Sequence, residues 1–218
     1  MYSIQERSSE GLPTAVLTST DTTGEVEDAQ PDLDINIYSP RFIIGGSPHP
    51  GVIVEPPGLA NVEPPSVRYR PRLPKYLSET GKLSAMQLER IIYAGQAHDQ
   101  RLADGSRAGI SIGDGTGTGK TATLAGIILD NWFQGRRRTV WFSVKADLIE
   151  AVSDEFRRLG LTPPIKLIND FPTDREIDIE DGIVFLHISI ANRQIEKGKQ
   201  TARSDNSLAR TKRSRYLR

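Results

Sequence analysis

Gly113-Asp114-Gly115-Thr116-Gly117-Thr118-Gly119-Lys120-Thr121 stands between two apolar runs. Ahead of it lies Ala108-Gly-Ile-Ser-Ile112. Behind it, Ala122-Thr-Leu-Ala-Gly-Ile-Ile-Leu129 carries apolar residues at helical spacing. Strand, glycine loop and helix in that order are the context of a phosphate-binding P-loop. Glycines let the backbone turn tightly enough for several N–H groups to face one anion. The amides of Gly115, Thr116, Gly117, Thr118 and Gly119 would cradle phosphates, and the helix that follows adds its positive dipole end. Lys120 is placed to reach the β- and γ-phosphates, and the Thr121 hydroxyl to help hold Mg²⁺. The implied cofactors are ATP and Mg²⁺.

The strict pattern G-x-x-x-x-G-K-[ST] asks for glycine at position 114, where this chain has Asp114. The remainder, Gly117-x-Gly119-Lys120-Thr121, has the spacing of superfamily 2 helicases and translocases, whose first position also varies.

Composition narrows the alternatives. The 218 residues suffice for one α/β domain with a core and extra segments. Cysteine is absent, which excludes a disulfide framework and a thiolate metal site. Three histidines without an H-E-x-x-H motif argue against zinc. No apolar run approaches the roughly 18 residues of a membrane span, and the first residues lack a signal-peptide pattern. The expectation is a cytoplasmic or nucleoid-associated protein with no membrane partner.

Lys plus Arg and Asp plus Glu both number 28, yet the charges are segregated. Residues 1–37 carry Glu6, Glu10, Asp21, Glu25, Glu27, Asp28, Asp32 and Asp34 against Arg7. Residues 191–218 reverse this, with Arg193, Lys197, Lys199, Arg203, Arg210, Lys212, Arg213, Arg215 and Arg218 against Glu196 and Asp205. Such tails either bind partners or remain solvated ends, and a basic one can bind phosphate backbones without reading sequence.

Four regions are expected. Residues 1–40 read as a disordered acidic N-terminus. Residues 41–78 form an extended Pro/Gly-rich segment, because proline lacks a donor and restricts its predecessor. Residues 79–190 read as a partial P-loop NTPase domain, with order beginning near Leu83. Residues 191–218 form a basic tail. Within the third region, Ser84-Ala-Met-Gln87 has the form of a capping box. Leu88, Ile91, Ile92 and Gly95 then share one helical face, to about Ala97 or His98. A second helix spans 120–133 and closes at Gly135. Thr139–Val144 reads as a buried strand. Asp147 is expected to cap a helix whose apolar face is Leu148, Val152, Phe156 and Leu159, stopped by Gly160. Strands at Ile165–Ile168 and Ile183–Leu186 complete the alternation, which argues a parallel sheet with right-handed crossovers.

The chain resembles a bacterial or phage member of the strawberry notch family of superfamily 2 helicase-like proteins. Four stretches carry the likeness. The first runs from Pro48-His-Pro50 through Val54-Glu-Pro-Pro-Gly-Leu-Ala-Asn-Val-Glu-Pro-Pro65 to Tyr69-Arg-Pro71 and Leu73-Pro74. The second is Leu83-Ser-Ala-Met-Gln-Leu-Glu89 with Tyr93-Ala-Gly-Gln-Ala-His98. The third is Ile112–Lys120 with Ala125-Gly-Ile-Ile128. The fourth is Arg138-Thr-Val-Trp-Phe-Ser-Val144 with Asp147-Leu148. The likeness covers roughly residues 47–190. The family's P-loop also tends to begin Gly-Asp-Gly, which accounts for Asp114; it often has glycine where this chain has Thr121.

That resemblance implies a RecA-like first motor domain, ATP binding, and action on nucleic acid, DNA rather than RNA. It places Gln87 near the adenine, where an amide can pair with a base edge. Equally, Gln87 can serve as the capping partner of Ser84. Ser143 and Lys145 match a segment that touches the nucleic-acid backbone in such motors, or they form a solvated strand end. Arg136-Arg-Arg138 could contact phosphates, but cations beyond a helix C-terminus complement its dipole in any case, which is the favoured reading.

A superfamily 2 motor also needs an acidic motif that completes Mg²⁺ coordination, and arginine fingers worth about 10³–10⁵ in rate. Neither is found. Asp154-Glu155 falls mid-helix, and the strand at 183–186 leads into His187-Ile-Ser189. The expectation is an N-terminal portion of a larger motor, truncated, split or fragmentary, whose partner is the missing C-terminal motor domain. Alone it would bind nucleotide and hydrolyse it poorly. A small P-loop kinase and a non-catalytic, nucleotide-gated or scaffolding interaction module are the rivals.

Overall fold

A computed structural model describes residues 5–6, 36–43, 45–55, 62–172 and 177–187. Most of the expected acidic N-terminus and the whole basic tail lie outside the described residues. The chain divides into two compact units, Met1–Gln134 and Gly135–Arg218.

The first unit opens with two-residue strands: β1 (Gln5–Glu6), β2 (Asn36–Ile37), β3 (Phe42–Ile43) and β4 (Val54–Glu55). β1 pairs antiparallel with β3, and β2 with β4. Residues 62–75 then run without helix or strand. Four prolines, Pro64, Pro65, Pro71 and Pro74, deprive this stretch of the donors a ladder needs. Side chains from the helices supply its partners instead. The Gln96 Oε1 accepts from the Arg68 N–H at 2.8 Å, and the Gln96 Nε2 donates to the Ser66 carbonyl at 3.0 Å. Asp130 accepts from the Tyr69 hydroxyl and, at 2.6 Å, from the Arg72 N–H. Tyr69, Leu73 and Leu77 are buried, so packed structure begins well before Leu83. The sequence reading missed this because proline-rich composition hides which alternate side chains are core.

α1 (Tyr76–Glu79) is a single turn. α2 (Ala85–Asp99) starts on the expected capping box: the Ser84 hydroxyl accepts from the Gln87 N–H, and the Gln87 amide oxygen accepts from the Ser84 N–H. Its buried face is Met86, Leu88, Ile91, Ile92 and Ala94. α3 (Lys120–Phe133) begins at the lysine of the glycine loop and buries Ala122, Ala125 and Leu129. The two helices pack closely at Gly126, where a Cβ would run into the Ile91 side chain. Trp132, in the last turn of α3, is partly buried.

The strand expected at 108–112 does not form. These residues join no ladder, and Ile110 is 41% exposed. An apolar run becomes a strand only when a neighbour takes its backbone groups. In this unit the described strands are two residues long and already paired.

The second unit holds a parallel sheet: β5 (Arg138–Ser143), α4 (Leu148–Leu159), β6 (Ile165–Leu167) and β7 (Gly182–His187) follow in chain order. The strand order is β5-β7-β6. Thr139 lies opposite Ile183 and Trp141 opposite Phe185 on one side; Ile165 and Leu167 take the same partners on the other. A central parallel strand covered on both faces should be continuously apolar. β7 obeys, with Ile183, Val184 and Phe185 all buried. β5, at one edge, alternates instead: Val140 and Phe142 are exposed, while Trp141 between them is partly buried.

α4 buries Val152, Phe156 and Leu159. Its end is a Schellman turn: Gly160, at φ +85°, donates to the Arg157 carbonyl and Leu161 to the Phe156 carbonyl. The expected cap by Asp147 is not made. Asp147 has helical φ and ψ of −63° and −19°, whereas a capping side chain needs an extended backbone to reach back. The strand expected at 165–168 ends one residue early, because Ile168–Asp170 turns into a 3-10 helix.

Candidate functional site

The glycine loop is shaped by two left-handed residues. Gly117 has φ +85° and Gly119 φ +74°, a region that L side chains rarely enter. At Gly119 space is also closed, because a Cβ would collide with the Gln87 amide nitrogen. Gly119 caps α3 without a side chain, so no side chain competes for the N–H groups of the helix's first turn. Thr118 is buried and its hydroxyl donates to the Gly115 carbonyl at 3.0 Å, which closes the loop on itself.

Lys120 lies across this loop. Its Nζ donates to the carbonyls of Asp114 at 2.8 Å and Gly115 at 2.7 Å. The cation is therefore held where backbone oxygens converge, above uncapped helix amides. That is a positive centre suited to an anion. Thr121 follows on the same first turn, partly exposed.

Gln87 reaches the loop from α2. While its oxygen serves the capping box, its Nε2 donates to the carbonyls of Thr118 at 3.5 Å and Gly119 at 3.4 Å. One buried amide thus joins the start of α2 to the turn before α3. Of the sequence-predicted residues, Gln87, Gly115, Thr118, Gly119 and Lys120 are linked by these bonds. Ser143 and Lys145 belong to the second unit, Ser143 buried at the end of β5 and Lys145 exposed beyond it.

Sequence reasoning missed Arg90. Its guanidinium pairs with the Asp114 carboxylate: Nη2 donates to Oδ1 at 2.8 Å, and Nε lies 2.5 Å from Oδ2 without making a hydrogen bond to it. A further arm donates to the Met86 carbonyl at 3.1 Å. Both side chains are largely buried, at 18% and 16% exposure. A charge-assisted hydrogen bond of this kind is stronger than one between neutral groups. The guanidinium neutralises an acid at the mouth of the glycine loop. The signal was present in the sequence: an aspartate at that position calls for a nearby cation. Spacing alone could not say which one.

Behind Arg90 the network continues. Its guanidinium sits 5.4 Å from the centroid of the Tyr38 ring. The Tyr38 hydroxyl donates to Glu89, which also accepts from the Arg41 N–H at 3.3 Å. Burial pushes the Glu89 carboxyl above its ordinary value, against the opposing pull of these hydrogen bonds and of Arg90. Burial likewise raises the Tyr38 phenol, helped by the Glu89 charge. A cleft of about 570 Å³ opens beside Asp114, lined by Arg90, Tyr93, Gln96, Ile110 and Ile112 among others.

Comparison with known proteins agrees with the loop. The family model described as P-loop containing NTP hydrolase pore-1 matches residues 48–211. Protein FORGETTER 1 of Arabidopsis thaliana is 37% identical over 167 residues, 74% of this chain and 13% of that protein. Protein strawberry notch homolog 2 of Homo sapiens is 50% identical over 125 residues, 57% of this chain and 9% of that protein. Protein strawberry notch of Drosophila melanogaster is 46% identical over 125 residues, 57% of this chain and 8% of that protein. The chain thus matches only about a tenth of the length of these relatives. No solved structure matches it.

Proposed function

The chain belongs to the P-loop-containing NTP hydrolase family, and on that premise we propose that it binds ATP with Mg²⁺ as the first motor domain of a helicase-like protein acting on nucleic acid. The observation that carries this reading is Lys120. Its ammonium lies at the start of α3 among the carbonyls of the glycine loop, above helix amides that no side chain caps.

In this reading the loop amides from Gly115 to Gly119 receive the β- and γ-phosphates. Lys120 exchanges its carbonyl partners for phosphate oxygens. The Thr121 hydroxyl, partly exposed on that first turn, is the side chain that would hold Mg²⁺, and the ion would neutralise phosphate charge. Gln87 fixes the turn at Thr118–Gly119 and keeps the cradle in register.

Hydrolysis asks for more. An acid must orient water, and the Asp154-Glu155 pair is committed elsewhere: Asp154 pairs with Arg157, and Glu155 with Arg158 at 2.5 Å. Binding without efficient turnover is therefore the proposed behaviour of these 218 residues.

Calorimetry with MgATP tests the reading. Lys120→Ala is expected to weaken binding at least tenfold, about 1.4 kcal/mol, without lowering the unfolding temperature. Equal affinity for wild type and variant would overturn it.

A further inference from the structure

A row of cations lies outside the loop, on residues 68–75. Arg68, Arg70, Arg72 and Lys75 are exposed, while Tyr69, Pro71 and Leu73 between them are buried. We propose that this row is a track for the backbone of single-stranded nucleic acid. The inference rests on the nucleic-acid part of the function proposed above and assigns it a surface.

The row is laid out by the chain's own geometry. In an extended segment alternate residues stand about 6–7 Å apart on one side. Arg68, Arg70 and Arg72 therefore repeat at a spacing comparable to successive phosphates on a stretched strand. Lys75 continues the charge where α1 begins. An extended, one-dimensional row suits an extended strand better than a compact partner, and planar guanidinium groups suit phosphate oxygens.

The row is also held in place. Gln96 takes the Arg68 N–H, and Asp130 takes the Arg72 N–H and the Tyr69 hydroxyl. Each anchor acts on backbone or on the buried side, which leaves the arginine heads outward. A surface fixed before binding loses less entropy when it binds.

Finally, no ion pair among the described residues engages these cations; the pairs found involve Arg90, Arg137, Arg157 and Arg158. No Asp or Glu occurs between Glu63 and Glu79. Asp130 is buried and already engaged. The charge of Asp130 and, more weakly, that of Asp99, exposed at the end of α2, reach the Tyr69 phenol. Like charges fixed side by side repel, and a bound polyanion relieves that repulsion.

The test is fluorescence anisotropy with a labelled oligodeoxythymidine of about 16 nucleotides, titrated across a range of salt. The triple variant Arg68→Gln, Arg70→Gln, Arg72→Gln keeps every backbone anchor. It is expected to bind tenfold or more weakly. Its plot of log K against log salt should be shallower by about 2, since each phosphate contact to a single strand contributes about 0.7. The matching triple lysine variant should keep most of the slope. MgATP affinity and unfolding temperature should stay unchanged in both.

An unaltered slope in the glutamine variant would overturn the track and leave the nucleic-acid reading standing. Failure of the wild type to bind the strand at low salt would overturn both, while the calorimetric test of Lys120 stays independent. Displacement of the strand by polyglutamate of matched charge, with the same arginine dependence, would point to an acidic protein surface and overturn the proposal.

Discussion

The glycine loop and the parallel sheet are held by opposite means. Residues 113–119 owe their shape to polar bonds: the Arg90 guanidinium on Asp114, the Gln87 amide on Thr118 and Gly119, the Thr118 hydroxyl on Gly115. The sheet of β5, β7 and β6 owes its cohesion to apolar burial concentrated on one strand, β7. A loop that receives an anion, as proposed for this one, cannot be filled with apolar side chains, so its geometry has to be imposed from outside. A central strand has no such duty and can be apolar throughout. The loop should therefore answer to changes of charge, and the sheet to changes of volume.

The largest expected effect lies in the sheet. Phe185, fully buried on β7, should cost about 3–5 kcal/mol when replaced by alanine. Urea unfolding reads this directly, and a loss under about 1 kcal/mol would mean β7 is not the centre of that core.

Next comes the loop. Arg90→Ala strands a largely buried carboxylate at the loop's mouth and should destabilise the protein by about 1–3 kcal/mol. More tellingly, it should speed amide exchange at residues 114–117 while α4 keeps its protection. Adding Asp114→Gly should return most of the loss. If the double variant is no better than Arg90→Ala alone, the ion pair is not what holds the loop.

The smallest effect concerns Glu89. Its carboxyl titrates above 4.5, its ordinary value, in the folded protein. Between that value and the raised one, the folded state binds more protons than the unfolded chain. Stability therefore rises as pH falls through this window and declines as pH rises through it. Glu89→Gln should remove this slope and leave the other carboxylates' contributions. Urea midpoints of wild type and variant that stay parallel as pH falls from 7 to about 4.5, the ordinary value, would refute it.

Much of this architecture was legible in the sequence. Helical spacing marked α2 and α3, and the Ser84–Gln87 capping box told where α2 starts. The apolar run at 183–186 became the buried central strand. What stayed hidden depends on partners far along the chain. Ala108–Ile112 has strand composition, but a ladder is a property of two segments, and among the described residues no neighbour supplies the second. Arg90 and Asp114 are 24 residues apart, so no local period links them. Asp147 failed as a cap through a backbone angle that residue type does not reveal. The alternation of Arg68, Arg70 and Arg72 with buried residues was visible as a period of two. Prolines in between disguised it as mere extended chain.

The two tryptophans are divided between the units. Trp132 rides on the last turn of α3, and Trp141 lies in β5, each partly buried. Each unit thus contains its own native fluorophore. A Trp132→Phe chain would glow only from the sheet, and a Trp141→Phe chain only from the phosphate-loop side. Melting the pair of single-tryptophan proteins would show whether the two units come apart at one temperature or in succession.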